Sequence, residues 1–200
     1  IIIVGSGPSG VALAASLTKR KPELADDILI LEKSRHPRHK LCGGGITPWA
    51  ESRLQTLDLN VDVPSFYIHR VAFHFLEEPL FFERANLMRT IRRDEFDAAM
   101  VETIREKGVE VLEECRVLDM KIEDRRVSVE TSRGYFESDI IVGADGAKSF
   151  VRRRLFPEPE SRISRLMEVI VRLDESALPE EFVRHTAVFD FQAIRQNLQG

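Results

Sequence analysis

Four consecutive β-branched residues, Ile1-Ile2-Ile3-Val4, run directly into Gly5-Ser6-Gly7-Pro8-Ser9-Gly10, and Val11-Ala12-Leu13-Ala14-Ala15-Ser16-Leu17 follows as a helix of small and apolar residues. That order restricts the opening of the chain to a strand buried on both faces, a tight turn and a helix packed back on the strand. Each glycine has its own task there. Gly5 permits the turn, Gly7 lets the backbone approach a pyrophosphate, and Gly10 lets the helix lie close to the strand. Ser6, Pro8 and Ser9 complete a loop whose free amides and helix dipole favour a diphosphate. Glycine turns of this spacing also occur in unrelated loops, so context decides. A second apolar strand, Ile28-Leu29-Ile30-Leu31, ends in Glu32, at the distance of about 20 residues where an acid binds a ribose hydroxyl. The helix between them ends at Lys19-Arg20-Lys21-Pro22, a basic last turn with a proline stop. Together these features predict a dinucleotide site.

The rest of the composition narrows the class. Two hundred residues bury a sizeable core and suit one large domain or two interleaved ones. A net charge of −4 gives no global basic field, which argues against nucleic acid. No apolar run approaches the roughly 20 residues of a membrane span. Cys42 and Cys115 sit in different contexts and suggest no disulfide framework, so a reducing cytoplasm is the default expectation. The sequence begins inside a strand without an initiator Met, and a trimmed N-terminus is expected.

After Glu32 comes a basic, turn-rich stretch over 33–40 and then Leu41-Cys42-Gly43-Gly44-Gly45. Thr47-Pro48 opens a predicted helix over 48–57. Residues 70–76 and 80–83 read as paired strands around a Glu77-Glu78-Pro79 turn. Asp94 is expected to cap a helix through Lys107, with Phe96, Ala99, Met100 and Ile104 on one face and Gly108 beyond its end. A strand over 109–112 follows. Alternation at Leu118, Met120, Ile122, Val127 and Val129, with turns at Asp124-Arg125-Arg126 and Arg133-Gly134, predicts a three-stranded antiparallel insertion. The chain then re-enters a parallel strand at Ile140-Ile141-Val142-Gly143. Further strands are expected over 165–173 and 186–191.

A second strand-to-helix turn follows at Gly143-Ala144-Asp145-Gly146, ahead of a helix over 148–155. Asp145 has two readings. It is an acid at the carboxyl end of a parallel strand, where ligands bind open α/β sheets, or it caps the helix.

With these blocks in view, the sequence resembles the FAD-dependent oxidoreductases of the aromatic-hydroxylase class and, more narrowly, the geranylgeranyl reductase family. The likeness rests on the Gly5–Gly10 turn with Glu32, and on Arg93-Asp94-Glu95-Phe96-Asp97-Ala98-Ala99-Met100. Gly143-Ala144-Asp145-Gly146 with Ser149, Val151 and Arg152 adds a third block, and Lys40-Leu41-Cys42-Gly43-Gly44-Gly45-Ile46 points to the reductase family. The resemblance implies that Gly5, Ser6, Gly7, Pro8, Ser9 and Gly10 hold the FAD pyrophosphate. It implies that Glu32, with Lys33 beside it, serves the adenosine ribose, and that Arg93 reaches the diphosphate or ribityl region. Val117 would give a backbone contact to adenine, while Asp145 and Gly146 support the cofactor and line the pyridine-nucleotide groove. Lys40, Cys42, Gly43 and Gly44 would lie by the isoalloxazine, with Cys42 the candidate for catalysis near flavin or substrate; its alternative is a small residue chosen for fit. The class's later Gly-Asp block falls beyond position 200, so the chain reads as the N-terminal portion of a longer protein.

His36-x-x-His39-x-x-Cys42 has ligand spacing, but Pro37 and the triglycine break a helix, and Arg35, Arg38 and Lys40 repel a cation. No metal site is expected. The same basic run either steers a nucleotide phosphate or an anionic head group, or is a solvated loop, which is favoured. Arg152-Arg153-Arg154 reads as an exposed helix side. Phe73, Phe75, Phe81 and Phe82 read as core or as an apolar substrate wall. His69, His74 and His185 have no partner legible in the sequence.

The expected fold is α/β: a doubly wound, Rossmann-like FAD-binding fold over 1–60 and 87–160, carrying an antiparallel β insertion. A β-sheet substrate domain over 61–86 and 161–200 is interleaved with it. By resemblance, NAD(P)H reduces the flavin, which reduces isoprenoid double bonds of a small apolar or prenyl-lipid substrate, with peripheral membrane contact. The alternatives are a FAD-dependent monooxygenase or halogenase acting on an aromatic or other apolar substrate, and a non-catalytic FAD/NAD-binding module.

Overall fold

A computed structural model of the chain describes residues 1–75, 78–157, 167–169 and 185–191. In chain order the elements are β1 (Ile2–Val4), α1 (Pro8–Arg20), a 3₁₀ turn (Pro22–Asp27), β2 (Leu29–Leu31), β3 (Gly45–Ile46), α2 (Pro48–Thr56), β4 (Ser65–His74) and β5 (Leu80–Ile91). They continue with α3 (Arg93–Glu106), β6 (Glu110–Leu112), β7 (Val117–Glu123), β8 (Arg126–Thr131), β9 (Gly134–Ser138), β10 (Ile141–Gly143), α4 (Phe150–Leu155) and β11 (Thr186–Asp190). Two units divide them. One comprises Ile1–Lys40, Arg53–Val63 and the described residues from Arg93 to Pro157; the other comprises Leu41–Ser52, Pro64–Arg92 and the described residues from Met167 onward.

The first unit is built on a parallel sheet in the order β10-β1-β2-β6. Ile2 pairs with both Ile141 and Leu29, and Leu29 with Glu110, so β1 is a central strand. All three of its residues are buried, as expected for a strand covered on both faces. Helix α1 starts after Gly7, with Pro8 in its first turn, and buries Gly10, Val11, Ala14, Ala15 and Thr18 along one stripe. Thr18 removes its own polarity by donating to the Ala14 carbonyl at 3.0 Å. Pro22 does end the helix, but it also begins the 3₁₀ turn, where its missing N–H costs nothing.

The insertion forms a separate antiparallel sheet, β7-β8-β9, between β6 and β10, the two edges of the parallel sheet. Met120, Val127 and Val129 of its inner face join Ile2, Val4, Leu31, Cys115 and Val151 in one core cluster. Helix α3 departs from expectation in two ways. It begins at Arg93, so Asp94 lies inside the first turn, where it accepts from the Glu95 amide at 3.0 Å and faces the positive end of the dipole. Its buried stripe is Phe96, Asp97, Met100, Val101 and Ile104, so an acid occupies the face on which Ala99 was expected.

In the second unit the sheet order is β11-β4-β5-β3. The β4–β5 ladder extends from Ser65↔Ile91 to Phe73↔Leu80, well beyond the short hairpin predicted. Arg84 and Asn86 break the apolar pattern without ending the strand. A register shift between Ile68 and Arg70 absorbs the irregularity, and Asn86, at φ 56°, donates its amide to His69 Nδ1 at 3.0 Å. His185 also has partners: its ring stacks on Phe66 at 4.5 Å and lies 4.9 Å from that of His69. β11 pairs with β4 in parallel, Thr186 opposite Arg70. Residues 165–166 and 170–173 of the other predicted strand lie outside the described residues, and 167–169 carry no regular structure. Phe75, Phe81 and Phe82 are exposed, which removes the core reading for three of the four aromatic residues. Phe73 is half-buried between Phe82 and Phe189, at 5.9 and 5.2 Å between ring centres. No helix among the described residues is long and apolar enough to cross a membrane.

Candidate functional site

The glycine turn is shaped by close approaches. Gly5 has φ 103°, and a Cβ there would lie 2.5 Å from the Ala144 carbonyl oxygen. A Cβ on Gly10 would lie 2.0 Å from the Gly5 carbonyl oxygen, so α1 packs on the turn only because that atom is missing. Gly7 differs: the one atom close to its Cβ position is Arg38 Nη2, at 3.5 Å. Half-buried, Gly7 stands at the start of a 13-residue helix that has no side-chain cap and no acid in its first turn. Such a helix start accepts an anion.

Glu32 backs the turn. Its Oε2 accepts from the Ser6 amide at 3.0 Å and the Ser6 hydroxyl at 2.9 Å, and its Oε1 accepts from the Ser34 amide at 3.0 Å. Burial alone would raise the carboxyl's pKa. The hydrogen bonds from Ser6 and Ser34 and the Arg38 charge outweigh it and hold the group below its usual value of 4.5. A carboxylate has about four acceptor sites, and three donors leave one for a ribose hydroxyl.

His36 Nε2 lies 2.8 Å from Ser6 Oγ. Because that hydroxyl donates to Glu32, it accepts from His36, which fixes the proton on Nε2. The His36 amide donates to Glu113 Oε1 at 2.9 Å. Burial and the neighbouring Arg38 charge push the imidazole's pKa below 6.5, against the opposing pull of Glu32, Glu113 and Asp97.

Arg93 closes on Asp97 as a fork, Nε to Oδ1 at 2.8 Å and Nη2 to Oδ2 at 3.0 Å. Arg38 reaches the same carboxylate from the 33–40 loop, Nη2 to Oδ2 at 3.3 Å, and stands 3.8 Å from Glu32 Oε1. Its Nε is buried and has no hydrogen-bond partner among the described residues. A glycine without a side chain at an uncapped helix N-terminus, a buried acid with three donors, and an arginine whose Nε lacks a hydrogen-bond partner among the described residues fit a dinucleotide.

The structure thus gathers Gly5, Ser6, Gly7, Gly10, Glu32 and Arg93 into one region, and adds three residues with no assigned role, His36, Arg38 and Asp97. Arg38 is not part of a solvated loop, since its side chain is only 16% exposed. Asp97 carried a legible signal: it falls on the 97, 100, 101, 104 stripe of the helix, where an acid needs a partner. Pro8 is half-buried, while Ser9, Lys33 and Lys40 are exposed. Val117 begins β7, opposite Thr131. The Asp145 carboxylate accepts from the Ser149 hydroxyl and from the amides of Phe150 at 2.5 Å and Val151 at 3.3 Å. The N-cap of α4 is nevertheless Ser149, whose hydroxyl accepts from the Arg152 amide at 3.0 Å; Asp145 lies four residues before it and takes up the two amides that follow the cap. Gly146, at φ 81°, leaves open space where its Cβ would be.

Cys42, Gly43 and Gly44 belong to the second unit. Cys42 is exposed and its Sγ accepts from the Gly44 amide at 3.5 Å. Gly44 has a local reason to be glycine: its φ is 69°, and a Cβ would lie 2.0 Å from the Ile91 carbonyl oxygen. Among the described residues, nothing lies within 4 Å of the Gly43 Cβ position. Among the described residues, no group of three or more His, Cys, Asp or Glu is arranged to hold a metal ion.

No protein-family model matches the chain. In sequence it is 26% identical over 156 residues to an uncharacterized protein of Methanosarcina barkeri, a match covering 76% of this chain and 38% of that protein. It is 36% identical over 59 residues to a menaquinone reductase of Mycolicibacterium smegmatis, covering 30% of this chain and 13% of that protein. The chain thus spans less than half the length of these relatives. Among solved structures it is similar to CmlS, a flavin-dependent halogenase, with 27% identity and a TM-score of 0.65 over 77% of this chain and 30% of that one. It shares a fold with PqsL, a probable FAD-dependent monooxygenase from Pseudomonas aeruginosa, at 20% identity and a TM-score of 0.63 over 82% of this chain and 47% of that one. The parallel sheet, glycine turn and acid-ended second strand are those of the FAD-binding flavoprotein fold, the fold of FAD-dependent oxidoreductases.

Proposed function

We propose that the protein is a FAD-dependent oxidoreductase that takes electrons from NAD(P)H and reduces isoprenoid-type double bonds of a small apolar or prenyl-lipid substrate. The observation that carries the flavin part is the Gly7–Glu32–Arg38 arrangement, which offers a diphosphate an uncapped helix start beside a guanidinium and a ribose a buried acceptor. When bound, FAD supplies the hydride chemistry, and the protein supplies binding, orientation and electrostatics. Glu32 accepts from the ribose, the amides at the start of α1 meet the diphosphate, and Arg38 and Arg93 balance its charge. The likeness to a menaquinone reductase supports a reductase over the matched segment. The exposed Phe75, Phe81 and Phe82 support an apolar substrate, with peripheral membrane contact from the cytoplasmic side where that substrate is a lipid. Cys42 is the residue proposed to act beside flavin or substrate, and Cys42→Ala is expected to slow turnover while leaving FAD affinity unchanged.

A second reading, a monooxygenase or halogenase, is favoured by the likeness to CmlS. Anaerobic and aerobic turnover of the full-length protein separates the two. NADPH oxidation without oxygen uptake, with saturation of an isoprenoid, supports the reductase. Stoichiometric oxygen consumption supports the second reading. A colourless protein whose melting temperature ignores added FAD refutes both.

A further inference from the structure

Asp97 is a carboxylate with no exposed surface, set on the buried stripe of α3 beside Phe96 and Met100. For packing alone an apolar residue would serve better there, because a buried ion pair is often no more stabilising than well-packed hydrophobic groups. What the acid provides is a meeting point. It holds Arg93 from its own helix through two hydrogen bonds and Arg38 from the loop after β2 at 3.3 Å. Two guanidiniums so close would otherwise repel each other and swing toward solvent. Glu32 and Asp97 face Arg38 and Arg93 before any ligand arrives. The arriving diphosphate therefore meets cations already held in place, and among the described residues the buried Arg38 Nε has no hydrogen-bond acceptor, Glu32 Oε1 standing 3.8 Å away.

We propose that Asp97 is a positioning residue for the diphosphate of the bound dinucleotide: it holds Arg38 against Gly7 and joins it to Arg93 as one clamp. The inference rests on the FAD reading above. Arg38 then donates to the diphosphate while Asp97 keeps Nη2, so the guanidinium does not have to leave one partner to gain the other. The clamp senses the diphosphate and not the adenosine.

The test is a binding cycle on the full-length protein with three probes, FAD, ADP and adenosine, in wild type, Asp97→Asn, Arg38→Met and the double variant. Asp97→Asn is expected to weaken FAD and ADP by about tenfold or more, the scale of a charged hydrogen bond, and to leave adenosine unchanged. Arg38→Met is expected to do the same, with the double variant losing less than the sum of the two single losses. Equal weakening of adenosine, or additive losses in the double variant, overturns the proposal. Should Asp97→Asn fail to fold, Arg93→Gln replaces it, leaving Asp97 and Arg38 in place. Loss of ADP affinity that disappears in an Arg38→Met background supports the clamp, and unchanged ADP affinity overturns it. A wild-type protein that binds ADP but not FAD refutes the flavin reading and leaves the cycle fully readable on ADP.

Discussion

The amide and the hydroxyl of Ser6 both donate to one oxygen of Glu32, at 3.0 and 2.9 Å. The acid expected to serve a ribose is therefore also the acid that ties the glycine turn to the end of β2. Glu32→Gln keeps the size of the side chain but replaces one acceptor oxygen with a donor. Either Ser6 or Ser34 then loses its acceptor in a site where Glu32 is 4% exposed. The variant is expected to lose about 2 kcal/mol in urea denaturation, the scale of a charged hydrogen bond left unmade, and to bind adenosine and FAD more weakly. A variant as stable as wild type would refute the tie.

Two groups around this turn make stability depend on pH, in separate windows. His36 has its pKa lowered by burial and by Arg38, so the folded state favours the neutral ring. Its contribution is present above the unfolded value of about 6.5 and is lost as pH falls through the lower folded value. Glu32, also lowered, contributes above its unfolded value of 4.5 and loses that contribution as pH falls further. Melting temperature is thus expected to drop in two stages between pH 7 and pH 3. His36→Gln should flatten the upper stage alone, and Glu32→Gln the lower. An upper stage that persists in His36→Gln would assign it to another group.

Much of this region was legible because it is local. β1, the turn, α1, β2 and Glu32 follow one another within 32 residues, and each step has its own residue chemistry. Arg38 and Asp97 were not legible as a pair, because their meeting depends on how α3 packs against the loop after β2. A run of basic residues in a turn-rich segment looks the same whether it is solvated or folded inward. The sequence pattern makes β5 short because Glu83, Arg84 and Asn86 interrupt its apolar run, while the register shift that carries the strand past them is a property of the pairing with β4. β3, two residues long, has no pattern to read and exists through its pairing with Thr90 and Arg89.

Gly43 and Gly44 are neighbours with opposite tolerances. Gly44→Ala must place a methyl group against the Ile91 carbonyl at a positive φ, and it breaks the approach that lets the Ile91 amide donate to the Gly44 carbonyl at 3.1 Å. It is expected to destabilise the protein by about 1–3 kcal/mol, as overpacking does. Gly43→Ala meets open space and should fall within about 0.5 kcal/mol of wild type. Chemical denaturation of both variants checks the pair, and equal losses would contradict the geometry.

The two cysteines should separate cleanly by reactivity. Cys42 is exposed, whereas Cys115 is 1% exposed, packs in the core with Met120 and Val151, and donates its amide to the Glu32 carbonyl at 2.8 Å. A thiol must reach solvent to attack an alkylating reagent. Iodoacetamide on the native protein, read by peptide mass spectrometry, is expected to modify Cys42 and spare Cys115, and to modify both after urea unfolding. Because Cys115 shares its core cluster with β1 and β2, its protection also reports on the floor beneath the glycine turn. The Glu32→Gln variant, by loosening that floor, should raise the Cys115 rate while leaving the Cys42 rate unchanged. Parallel changes at both cysteines would point to global unfolding in place of the local opening expected.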